Sequence, residues 1–115
     1  MVKIYGIKNC GSVKKALNFL DSKGIDYEFI DFKKTSLMPK NLDFWLKKVD
    51  LKTLLNTKGT TYKKLELKNK NLNNEQIKAY LLQEPLLIKR PVIEYQGGII
   101  VGFEANLYHQ IQWKE

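Results

Sequence analysis

Cysteine, histidine and arginine each occur once in this chain of 115 residues, as Cys10, His109 and Arg90, and proline occurs only three times. A single cysteine cannot close an internal disulfide, and a reducing compartment keeps such a thiol free to react. One cysteine and one histidine are too few for the ligand set that zinc usually takes, so no metal site is expected. Also missing is any run near the roughly 20 consecutive apolar residues of a membrane helix, and the opening MVKIYGI has no long apolar segment of the secretory kind. The chain is therefore expected to stay in the cytoplasm, away from membranes. Between about Ser36 and Glu84 there is no low-complexity tract and no internal repeat. With 43% hydrophobic and 28% charged residues, the composition suits one compact domain, 1–115, around a single core.

Lysine is the residue in excess. The twenty cations less the one arginine leave nineteen lysines, spread from Lys3 to Lys114, and the formal net charge is +8. Such a charge steers anions of any kind toward a surface, whether nucleic acid, an acidic protein or a small oxyanion, and by itself selects none. Lysines mixed with acids along the whole chain are explained by a solvated surface without any partner. Arg90 differs from them because guanidinium is planar, always charged and able to grip an oxyanion with two donors.

The apolar pattern sets the architecture. VKIYGI reads as a buried strand, and Val13, Ala16, Leu17 and Leu20 then recur at the spacing of a helix with one buried face, stopped by Gly24. IDYEFIDF, rich in β-branched and aromatic residues, reads as a second strand, so residues 2 to 32 form a strand–helix–strand crossover with parallel strands. From about Ser36 to Glu84 the pattern is helical: Leu42, Trp45, Leu46 and Val49 share one face, and Ile77, Tyr80 and Leu81 share another after an Asn cap in NNEQIKAYLLQ. NTKGTTYKKL between them reads as a polar connection. PVIEY and IIVGF, flanking QGG, read as a hairpin whose glycines allow positive φ, and a helix from about Glu104 to Gln112 closes the chain.

The first crossover puts Cys10 at the amino terminus of a helix, where unpaired N–H groups and the macrodipole favour negative charge. Thiolate is the reactive form, and such a position with nearby cations lowers a cysteine pKa from about 8.5. Lys8 and Lys14 are near in sequence, Gly11 leaves room at the backbone, and Ser12 offers a hydroxyl or N–H to an oxyanion. From the residues alone, Cys10 is equally well a nucleophile or an inert buried thiol, and the two lysines equally well surface residues. His109 reads as a packing or surface residue, since no partner for a general base is evident.

Four ordered segments, YGIKNCGSVKKAL, LLNTKGTTYKKL, LIKRPVIEY and GGIIVGF, resemble the ArsC/Spx branch of the thioredoxin-like fold, and within it the YffB-like members, nearly end to end. The resemblance implies an α/β, thioredoxin-like four-stranded mixed sheet with a helical insertion at about 36–84. It further implies that Cys10 is the reactive cysteine, that Arg90 lies beside it in space, and that Pro91 is the cis-proline facing the active loop, where extended backbone pairs with a peptide or glutathione. On the same resemblance Asn56 and Lys58, in the middle stretch LLNTKGTTYKKL, are expected to bind substrate or thiol.

Two departures narrow the function. Val13 stands where disulfide-switching Spx-type members carry a second cysteine, so an internal redox switch is excluded. Arsenate reductases of this branch use further arginines, yet none follows Arg90 and the middle stretch presents Asn56 and Lys58; lysine lacks the bidentate fork that orients a tetrahedral oxyanion, so arsenate is not the expected substrate. What remains is a monothiol reductase with no bound cofactor, acting on a mixed disulfide or a small oxyanion, with glutathione as co-substrate or a glutaredoxin as partner to resolve the adduct. The alternative is a non-enzymatic, Spx-like regulator that binds RNA polymerase; a direct nucleic-acid binder rests on charge alone.

Overall fold

The computed structural model describes residues 1–96 and 98–113. They group into two compact units: the first takes in Met1–Thr35 together with the chain from Arg90 onward, and the second is Ser36–Lys89.

In the first unit, β1 (Val2–Gly6), α1 (Gly11–Ser22) and β2 (Tyr27–Asp31) form the expected crossover, followed after the second unit by β3 (Val92–Tyr95), β4 (Gly98–Val101) and α6 (Ala105–Gln110). The strands make one mixed sheet in the order β2-β1-β3-β4, parallel between β1 and β2 and antiparallel elsewhere. Strand residues alternate faces, and the register lines up Ile4 with Phe29 and with Ile93. On that face Val2, Ile4 and Ile93 pack with Ala16 and Leu20 of α1 and Tyr108 of α6 into one buried cluster. Lys3, Tyr5, Val92 and Glu94 share the opposite face. There burial, the charge and hydrogen bond of Glu94, and the charge of Glu28 push the Tyr5 hydroxyl up to about 12.

Local chemistry ends α1 where the sequence predicts. Gly24 takes φ +65, its N–H donates to Asp21 O and the Ile25 N–H donates to Leu20 O, the paired bonds of a Schellman stop. The other described glycine with positive φ is Gly102, whose carbonyl accepts the Tyr108 hydroxyl at 2.7 Å. At the hairpin, Gly98 is a strand residue rather than a turn residue with positive φ, and Gly97 lies outside the described residues. The last helix is shorter than expected because Ile111 is extended, with φ −82 and ψ 137.

The second unit contains α2 (Pro39–Leu46), α3 (Leu51–Leu54), α4 (Thr60–Lys64) and α5 (Asn74–Gln83), with 3₁₀ turns at Leu67–Asn69 and Pro85–Leu87. The predicted Asn cap is Asn73: its Oδ1 accepts from Gln76 N–H and its own N–H donates to Gln76 Oε1, both at 2.9 Å, a closed capping box. Two expectations change here. Val49 lies beyond the end of α2, and NTKGTTYKKL is a loop only as far as Gly59, after which Thr60–Lys64 is helical. The helix starts because the Gly59 carbonyl accepts from Lys63 N–H, a backbone bond that a polar composition does not forbid. Among the described residues no helix is long and apolar enough to cross a membrane.

Candidate functional site

Cys10 is the N-cap of α1, with extended backbone (φ −135, ψ 127) and a carbonyl that accepts the Lys14 N–H at 2.9 Å. Close packing holds this junction. A Cβ placed on Gly6, the last residue of β1, would lie 2.8 Å from Cγ2 of the fully buried Val13, so only glycine lets β1 run this near the first turn of α1. The side chain of Val13 thereby pins the turn whose backbone N–H groups surround the thiol.

Antiparallel pairing delivers the second component. Tyr5 pairs with Val92, so the end of β1 that leads to Cys10 adjoins the start of β3, which follows Arg90 and Pro91. The Arg90–Pro91 bond is cis. Pro91 is buried and its carbonyl accepts the Gly102 N–H at 2.8 Å, while Arg90 is half-buried.

Opposing influences set the ionisation of Cys10. Partial burial pushes the thiol up, but the Val13 N–H, the Arg90 side chain and the Ser12 N–H hydrogen-bond the sulfur, and the Arg90 charge adds to them, so the balance falls below the ordinary value. A thiolate is a better acceptor than a thiol, so these donors favour the ionised form. The thiol is half-buried, reachable yet partly shielded.

The expected site residues divide into three groups. Cys10, Gly11, Ser12, Arg90 and Pro91 come together, and Gly11 is exposed, with nothing within 4 Å of an added Cβ. Lys8 and Lys14 are exposed, and the cation that holds the thiol down is Arg90. Asn56 and Lys58 belong to the second unit, where Asn56 Oδ1 accepts the Lys58 N–H at 3.2 Å in a turn before α4. His109 is exposed, with its ring 5.0 Å from that of Phe19 and edge-on to it. The contribution that residue reading missed is the Val13 N–H: the side chain signals a core position, but the third helical N–H after an N-cap is also the one aimed at the cap.

Comparison with known proteins places these residues in context. The model of the ArsC family matches residues 5–111. An uncharacterised protein of Haemophilus influenzae is 34% identical over 94% of this chain and 96% of its own. An arsenate reductase of Neisseria meningitidis is 28% identical over 88% of this chain and 89% of its own, and the global transcriptional regulator Spx 2 of Bacillus anthracis is 23% identical over 90% and 80%. The solved structure of the YffB protein, 35% identical, superposes with a TM-score of 0.88 over 96% of this chain and 97% of that one. The fold is thioredoxin-like.

Proposed function

The chain belongs to the ArsC family, and from that premise we propose that it is a monothiol reductase in which Cys10 is the nucleophile and Arg90 steadies both the thiolate and an anionic substrate. The observation that carries this is the Cys10 thiol held below its ordinary pKa by the N–H groups of α1 and the Arg90 side chain. With a mixed disulfide as substrate, the Cys10 thiolate attacks one sulfur, a new bond forms between the two sulfurs, and the other sulfur leaves as a thiolate that takes a proton from solvent. The chain has no second cysteine to reverse this step. An outside thiol, from glutathione or a glutaredoxin, attacks next. It releases Cys10 as a thiolate and ends in the oxidised disulfide, so the two electrons come from the outside pair. A small oxyanion is the second substrate class, received by the Arg90 fork and the Ser12 N–H.

Three proteins test this, wild type, Cys10→Ser and Arg90→Lys, in the glutathione-dependent reduction of a glutathione mixed disulfide, with thermal melts alongside. Cys10→Ser should be inactive. Arg90→Lys should lose about tenfold or more, the loss of a charge-assisted hydrogen bond, while melting near wild type. Full activity in Arg90→Lys would remove the arginine from the mechanism.

Similarity to Spx 2 favours a second reading, a regulator that binds RNA polymerase without turnover. That reading takes over if wild type and Cys10→Ser are equally inactive on every disulfide and oxyanion while both bind RNA polymerase alike.

A further inference from the structure

The second unit holds a cavity of about 160 Å³ that the thiol chemistry does not use. Its walls are Leu55, Tyr62, Leu67, Leu72, Ile77 and Tyr80, with Lys68 and Asn71 as the polar members. Small-molecule sites usually run to about 300–1,000 Å³, whereas a cavity of roughly 150 Å³ lined by aliphatic and aromatic groups has room for one benzene ring. The space therefore suits a single apolar side chain rather than a whole cofactor.

The segment that builds most of the cavity wall is basic, and one of its lysines, Lys68, lines the cavity itself. Between Leu55 and Leu72 stand five lysines (Lys58, Lys63, Lys64, Lys68 and Lys70) against one acid, Glu66. All five lysines are exposed. The whole unit, Ser36–Lys89, has eleven lysines and five acids, a net +6 of the chain's +8. Positive charge is thus concentrated on the unit with the cavity, and α4, which contributes Tyr62 to the wall, also bears Lys63 and Lys64.

We propose that this unit docks an acidic segment of a partner protein, with one aromatic or aliphatic side chain of that segment seated in the cavity and its carboxylates drawn to Lys68 at the wall and to the net positive charge of the unit. An anchor in a pocket supplies affinity, and complementary charge speeds the encounter and fixes orientation. A nucleobase is the competing occupant, and the test separates the two.

The test uses fluorescein-labelled ten-residue peptides of glutamate with one central Phe, Leu, Met, Tyr or Trp, followed by polarisation and by amide shifts of the full chain. At least one peptide should bind, with shifts centred on Leu55, Tyr62, Lys68, Asn71 and Tyr80, and replacing its central residue by alanine should weaken binding about tenfold or more. The charge-reversed variant K63E/K64E/K68E, which leaves the apolar wall intact, should also lose binding. Three results would each overturn the proposal: no binding by any of the five peptides up to about millimolar concentration, equal binding of the anchored and alanine peptides, or tighter binding of a twelve-nucleotide single strand than of every peptide.

Discussion

At Cys10 burial and hydrogen bonding act against each other, and the direction of the outcome rests on which donors reach the sulfur. Burial disfavours the thiolate, but two backbone N–H groups of α1 and the guanidinium of Arg90 favour it and prevail. Alkylation of Cys10 followed against pH is therefore expected to show a midpoint below that of the same thiol in the denatured chain. Arg90→Gln should move that midpoint up. Lys8→Ala and Lys14→Ala should each move it less, because both lysines are exposed and their charges act through screening solvent. A Lys14→Ala shift as large as that of Arg90→Gln would assign the effect to diffuse positive charge instead of the guanidinium.

Among the elements, the junction of β1 and α1 governs where those donors stand. Gly6 and Val13 meet so closely that a methyl group on Gly6 would sit 2.8 Å from a valine methyl in a fully buried position. Valine is stiff at χ1 and cannot swing aside cheaply, so relief has to come from movement of the helix start. Gly6→Ala should destabilise by about 1–3 kcal/mol, the usual penalty of overpacking a core. It should also raise the alkylation midpoint of Cys10, because the displaced turn carries the Ser12 and Val13 N–H groups. Adding Val13→Ala should recover part of both effects, giving a double mutant less destabilised than the sum of the singles. Strict additivity would show that the two side chains do not compete for the same space.

For the whole molecule, the lowered thiol links folding to pH. The folded state holds the thiolate more strongly than the unfolded chain does, so the stabilisation is fully present above the unfolded pKa of about 8.5 and is lost as pH falls through the lower folded value. Comparison of wild type with Cys10→Ser cancels the groups common to both. The difference in Tm, wild type minus Cys10→Ser, should therefore rise with pH across that window and level off above it. A difference that stays constant from about pH 5 to 9 would mean that the thiol has the same pKa folded and unfolded.

The sequence by itself determined what depends on neighbours along the chain. The period of Val13, Ala16 and Leu20, the glycine stop at Gly24 and the Asn73 cap are local signals. Each stands in the structure because a helix turn and its ends are defined over a few residues. Resemblance to the ArsC/Spx branch supplied what periodicity cannot, the pairing of Cys10 with an arginine eighty positions later. Only the tertiary structure decided the rest. The strand order β2-β1-β3-β4 brings the ends of β1 and β3 together, and with them Arg90 to the thiol. Val13 acts through its N–H as well as through its side chain, a role that depends on where the sulfur lies and not on residue type. Lysines that look evenly spread along the chain become uneven once it groups into two units, and polar TTYKK becomes a helix whose Tyr62 walls a cavity. In each case the deciding contact joins residues distant in the chain or turns on backbone groups that every residue type shares, and neither leaves a mark on local composition.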